Sequence, residues 1–328
     1  MTAPAGRPML RRIGGADMAT PRIGYLLPTR ERVMTGEHAT GPLLALAERA
    51  ERLGFDSIWI GDSVTARPRH DPMTLMAAVA ARTARAEIGT AVLLPALRNP
   101  ALLAHQWATL DRISEGRVIL GIGSASDVPN IRDEFAACGV PWEARLGRMM
   151  EAMRLCRALW SGEAVTWEGR WQVKDAVLAP TPHRPGGPPI WVAGASEKAI
   201  ARVGQHFDGW FPNGADPGLY ARTLAAMRDA ARAAGRGAEA ITGAAYLTLA
   251  IDEDAARADA RMNAFLESYY GQRPDVMRKR QVCFAGPAAA ARDWLAAYAA
   301  AGVQHMCLRF AGEPERQMDI VAGFRDEL

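Results

Sequence analysis

Six histidines and three lysines are the side chains best suited to metal, covalent or acid–base work in this chain, and their spacing argues against most of it. His38, His70, His105, His183, His206 and His305 form no HxH or HExxH pair, the spacings that bring two imidazoles onto one ion. No metal site is expected. Lys174 falls in an alternating stretch, Lys198 inside a helical pattern and Lys279 in a charged run. None ends a strand, where a Schiff-base lysine would work. Cys138, Cys156, Cys283 and Cys307 are scattered without a CxxC pair and read as reduced thiols. A chain without its own nucleophile or metal set usually borrows reactivity from an organic cofactor.

The ends of the apolar runs carry glycine, alanine and serine instead, as in Gly61-Asp62-Ser63, Gly121-Ile122-Gly123-Ser124 and Gly194-Ala195-Ser196. Small residues let backbone approach a flat or phosphorylated ligand closely. Gly194-Ala195-Ser196 follows an apolar run and opens a helix, so free amides and the helix dipole would face an anion. A plain N-cap, with Ser196 satisfying its own helix, explains the same residues equally well. Gly121 to Ser126 lacks the last glycine of a dinucleotide fingerprint, and close packing at a strand end is the better reading there. Glu31, Arg69 and His70 stand in loops after the first two strands and are candidate catalytic groups, with solvated loop residues as the alternative. Arg98 is expected to tie down a loop, and Met149, Met150, Met153 and Cys156 follow helical spacing and read as core.

Positioning these residues falls to a strand–helix alternation. Strands are expected at 22–28, 56–62, 87–95, 117–123, 189–196, 207–212, 244–252 and 305–310. Helical patterns lie between them, for example with Leu43, Leu46, Ala50 and Leu53 before a stop at Gly54, or behind the Asn99-Pro100 cap. Helix 143–160 precedes VTWEGRWQVKD, whose alternation around Gly169 predicts a hairpin. Segments 124–142, 161–188 and 269–286 read as insertions. The pattern predicts a closed (β/α)8 barrel, an α/β TIM barrel with insertions after strands 4 and 7. The open doubly wound alternative usually has glycines after its first strand, where this chain has Leu27-Pro28-Thr29. Residues 1–21 are expected to be a flexible leader without the apolar region of a secretory signal, and 22–328 a single domain.

Net charge is +3, and residues 1–22 account for it with Arg7, Arg11, Arg12 and Arg22 against Asp17. A near-neutral body argues against nucleic acid as a partner. No apolar run is long enough to span a membrane. A cytoplasmic location is expected.

In order and spacing, AERAERLGFDSIWIGD, EIGTAVLLPALRNP, ATLDRISEGRVILGIGS, EFAACGVPWEARLGRMMEAMRLCRALWSG and PPIWVAGASEKAIARVGQHFDGWFP together resemble the luciferase-like monooxygenase family over roughly residues 22–215. The resemblance implies a (β/α)8 barrel, often dimeric, with FMN or the deazaflavin F420 in its mouth. It implies a bulge, in some members a non-prolyl cis peptide, that would place Ala91 and Val92 under the ring. Phosphate contacts would map to Gly194, Ala195 and Ser196, with a further contact near Gly123. Asp62 and Gly121 complete the expected cofactor set. The chain departs from the F420-dependent sugar-phosphate dehydrogenases of this family, which carry Asp-His where it has Asp62-Ser63 and Glu where it has Ser124. The Glu-His-His cluster of many FMN monooxygenases is missing too, so no acid–base pair transfers.

The reading that follows is a monooxygenase of a small organic substrate using reduced FMN supplied by a flavin reductase, working as a homodimer. An F420-dependent hydride-transfer enzyme is the alternative, and a non-catalytic flavin-binding protein the third. FMN is favoured because one phosphate needs no side-chain cations, whereas the polyglutamate tail of F420 favours a basic mouth. Arg30, Arg67 and Arg69 are the residues that could gather round such a tail.

Overall fold

The computed structural model describes residues 20–194 and 196–328, so nearly all of the expected leader and Ala195 lie outside the described residues. In chain order the strands are β1 (Arg22–Leu26), β2 (Ser57–Ile60), β3 (Glu87–Thr90), β4 (Val118–Ile122), β5 (Val165–Glu168), β6 (Gln172–Ala176), β7 (Ile190–Val192), β8 (Gly209–Trp210), β9 (Thr242–Ile251), β10 (Cys283–Gly286) and β11 (His305–Phe310). The helices are α1 (Thr29–Met34), α2 (Gly41–Arg52), α3 (Pro72–Arg82), α4 (Pro100–Ile113), α5 (Pro129–Ala137), α6 (Arg145–Leu159), α7 (Glu197–His206), α8 (Pro217–Ala233), α9 (Ala255–Tyr270), α10 (Pro274–Met277), α11 (Ala288–Ala300) and α12 (Pro314–Phe324).

Parallel pairing runs β1-β2-β3-β4-β7-β8-β9-β11 and returns to β1, which closes the barrel. β2 shows why its sequence is apolar almost throughout. Trp59 points into the barrel with Leu26, Ile119, Trp191, Phe211, Ala244 and Cys307. Ile58 and Ile60 point outwards into the larger core beneath the helices, so both faces are buried. Helix starts follow the expected chemistry: Asn99 accepts from Ala101 N (2.9 Å) and Leu102 N (3.3 Å), with Pro100 in the first helical position.

The insertions follow strands 4 and 7 of the ring. After β4 the chain forms α5, α6 and the antiparallel β5–β6 hairpin, which has an irregularity between Val165 and Trp167. After β9 it forms α9, α10 and β10. Segment 269–286, read as an insertion, contributes a strand: β10 pairs in parallel with the outer half of β9, Cys283 opposite Thr248 and Gly286 opposite Ile251. β9 is long enough to pair with β8 at one end and β10 at the other, which a four-residue run does not announce by itself.

The barrel floor holds a hydroxyl–imidazole–carboxylate series that superficially suggests a hydrolase. Ser57 Oγ lies 2.6 Å from His305 Nε2, and His305 Nδ1 lies 3.9 Å from Glu87 Oε2. Trp59 Nε1 donates to Ser57 Oγ (2.7 Å), leaving the hydroxyl hydrogen for Nε2. Burial, followed by the charge of Arg22, pushes the His305 pKa down to about 3, so the ring is neutral. Ser57 and His305 are buried beneath Trp59 and Trp191, out of reach of solvent, so this series is structural.

Candidate active site

The C-terminal strand ends surround a cavity of 610 Å³. Val92 after β3, Gly123 after β4 and Ala193 after β7 all line it, so these ends share one mouth. The peptide bond between Ala91 and Val92 is cis, and both residues line the cavity. β3 stops at Thr90, four residues into the expected run 87–95, because the chain turns there. Gly123 sits against this turn: a Cβ on it would stand 2.8 Å from Val92 Cγ2.

Asp62 reaches the cavity but its carboxylate is already engaged. Arg98 donates to both oxygens (2.6 and 2.9 Å), and Leu94 N donates to Oδ2 (2.9 Å). Burial disfavours the Arg98 charge, but Asp62 holds its pKa above the ordinary value. Arg98 therefore ties down a loop as expected, while Asp62 positions the Ala91–Val92 turn. Ser63 Oγ donates to Glu134 on α5 (2.7 Å), which also accepts from the amides of Val64, Thr65 and Ala66.

Gly121 does not line the cavity. It is buried within β4, where a Cβ would overlap the Thr90 carbonyl oxygen, and Thr90 Oγ1 donates to the Gly121 carbonyl oxygen (2.7 Å). Its missing side chain serves the approach of β3 to β4, which is the strand-end packing read from the motif. Gly194 lines the cavity, held by Trp210 Nε1 donating to its carbonyl (2.7 Å). Ser196 is the N-cap of α7, its Oγ accepting from Ala199 N (3.3 Å), and it stands outside the lining. α7 begins at Glu197, three residues after Gly194.

Of the catalytic candidates, only Arg69 lines the cavity. His70 turns aside, its Nε2 2.9 Å from the His38 carbonyl oxygen. Glu31 sits half-buried on α1, outside the lining. Burial raises its pKa against the opposing effect of Arg309, Arg69 and Arg30.

Position-by-position reading missed Arg309 and the tyrosines around it. Arg309 is 2% exposed at the end of β11. Its Nε and Nη2 donate to Thr248 Oγ1 (3.2 and 2.9 Å), and its guanidinium carbon lies 4.8–5.6 Å from the ring centroids of Tyr246, Phe265, Tyr269 and Tyr270. A usable signal was present: in HMCLRF, alternation puts Arg309 on the inward face with His305 and Cys307. Arg67, Arg69, Arg280 and Arg309 all line the cavity, and none forms an ion pair among the described residues. The lining carboxylates are all engaged elsewhere: Asp62 with Arg98, Asp127 with Arg132 and Glu134 with Ser63 and the loop amides. The mouth is strongly basic although the body is near neutral.

The sequence profile of the luciferase-like monooxygenases matches residues 21–322. The chain belongs to this family. It is therefore an oxidoreductase of the flavin- or deazaflavin-dependent kind. Among family relatives, an F420-dependent glucose-6-phosphate dehydrogenase of Kineococcus radiotolerans is 37% identical over 249 residues, covering 72% of this chain and 70% of the relative. Monooxygenase RslO1 from Streptomyces bottropensis superposes with a TM-score of 0.77 at 26% identity, over 92% of this chain and 98% of that one. An F420-dependent secondary alcohol dehydrogenase superposes with a TM-score of 0.79 over 93% and 98%, and at 22% identity speaks for the shared barrel alone.

Proposed function

We propose that the chain is an F420-dependent oxidoreductase that exchanges a hydride with a small organic substrate. The observation that carries this reading is the cavity's uncompensated positive charge, together with an F420-dependent relative at 37% identity. Reduced FMN was favoured on the near-neutral charge of the whole body, but a ligand meets the local field, and a mouth with unpaired arginines, Arg67 and Arg280 among them, favours an anionic cofactor. The cavity fits a flat ring with a phosphate. Small residues and the Ala91–Val92 backbone would support the ring, and the α7 start beside Gly194 the phosphate. Arg280, exposed at the rim, would meet an acidic tail. When bound, F420 supplies a carbon that takes or gives a hydride.

The protein's own part is to hold the Ala91–Val92 turn through Asp62 and Arg98, and to shield the reacting atoms from water. Ser63 donates to Glu134 where the sugar-phosphate dehydrogenases carry a histidine, so this chain's proton transfer differs from theirs. Likeness to monooxygenase RslO1 keeps a reduced-FMN monooxygenase with a separate reductase as the second reading.

Titrating the protein with F420 and with oxidised and reduced FMN, at low and moderate salt, tests the choice. F420 is expected to bind tightly and to weaken steeply with ionic strength. Tight reduced-FMN binding with marginal F420 affinity would reverse the assignment.

A further inference from the structure

The unpaired cations of the cavity fall into two groups by position, Arg280 in one and Arg67, Arg69 and Arg309 in the other. Arg280 lies at the rim near β8 and β10, where Asn213 Nδ2 donates to the neighbouring Gln281 Oε1 (3.4 Å). Arg69 and Arg309 belong to the arc β11-β1-β2. In the closed ring β1-β2-β3-β4-β7-β8-β9-β11, that arc is centred opposite β7, whose end leads to the α7 start. The proposed cofactor phosphate and these two arginines therefore stand on opposite sides of the mouth.

Arg69 and Arg309 converge on Tyr269. Arg69 Nη2 donates to its Oη (3.2 Å), and Arg309 stacks 4.8 Å from its ring centroid. Gly61 makes room for Arg69, because a Cβ there would overlap Arg69 Nη1. Arg309 Nη1 is buried with no hydrogen-bond partner. Aromatic faces stabilise the guanidinium, but a desolvated charge still lacks a counter-ion. Glu31 is the nearby carboxylate that acts on both arginines, and it makes no ion pair with either among the described residues. A single half-buried acid faces Arg30, Arg69 and Arg309 together.

We propose that this arc is a receptor for an oxyanion on the substrate, a carboxylate or a phosphate group, with Arg69 and Arg309 as its ligands. The proposal rests on the cavity being the active site, as argued above, and adds the class of substrate. A planar guanidinium matches an oxyanion with paired N–H donors, and two of them on one wall of the cavity select for charge as well as shape. The tail of F420 is a less suitable occupant: a polymeric tail must leave towards solvent, and Arg309 is 2% exposed.

Calorimetric titration of the full chain without cofactor, using malonate and inorganic phosphate as probes, tests the receptor. The same titrations are repeated with saturating F420. At least one probe should bind in both conditions, and the tighter one assigns the group as carboxylate or phosphate. Arg69→Gln and Arg309→Gln should each weaken that probe about tenfold or more. The charge-matched Arg292→Gln on α11 should leave it unchanged. Arg69 is half-buried on a loop outside the strands, so its variant carries the test even if Arg309→Gln does not fold. No binding of either probe, unchanged affinity in Arg69→Gln, or displacement of the probe by F420 overturns the proposal. Wild-type protein that fails to bind F420 but holds a probe in an Arg69-dependent way removes the cofactor assignment and leaves the receptor standing.

Discussion

Asp62 and Arg98 meet at two points, 2.6 and 2.9 Å apart, and join the end of β2 to the segment that follows the Ala91–Val92 turn. The Asp62 side chain is 1% exposed and that of Arg98 17%, so water screens the pair poorly. The backbone that would support a cofactor ring is thus held by an ion pair distant in sequence.

Asp62→Asn should therefore destabilise the fold by about 2–4 kcal/mol, because a shielded guanidinium loses its counter-charge. Cofactor affinity should fall with it as the Leu94 amide loses its carboxylate. Urea denaturation of Asp62→Asn, Arg98→Met and the double variant checks this: the double should cost less than the sum of the singles. Strict additivity would show the pair contributes nothing.

Ser196→Asp keeps an N-cap but adds negative charge at the start of α7. The melting temperature should barely move, while binding of a phosphorylated cofactor should weaken by more than about 1 kcal/mol. Unchanged affinity in a fluorescence titration, with a normal melt, would remove the phosphate site.

Gly61→Ala should displace Arg69 without unfolding the barrel, since the overlapping atom is the far end of a flexible side chain. Stability should change by less than about 1 kcal/mol, whereas malonate or phosphate binding should drop about tenfold. A loss of stability with intact probe binding would mean that the strand moves and Arg69 does not.

His305 gives the fold an acid limb. The unfolded chain takes up a proton on this ring near its ordinary pKa of about 6.5, but the folded one only near 3. Its contribution is complete above pH 6.5 and declines as pH falls towards 3, by at most about 1.4 kcal/mol per unit. His305→Gln, which does not titrate, should flatten that part of the stability profile measured by denaturant titration from pH 7 to 4. Parallel profiles for the two proteins would assign the acid limb to other groups.

Local chemistry decided what the sequence alone could determine. Alternating and helical periodicity, the Asn99-Pro100 cap and the small residues at strand ends depend on neighbours a few positions away, so the barrel and its working mouth were legible along the chain. Ring closure decided the rest. Gly121 and Gly123 are two residues apart in one motif, yet the first packs against Thr90 and the second borders the cavity, a distinction set by the neighbouring strand. Net charge summed over the chain hid a basic mouth, because Asp62, Asp127 and Glu134 are engaged elsewhere while Arg67, Arg69, Arg280 and Arg309 are left unpaired. Arg309 meets Tyr269 across an insertion whose placement depends on β10 pairing with the far end of β9. Such contacts join residues far apart in sequence, and only the closed sheet brings them within reach of one another.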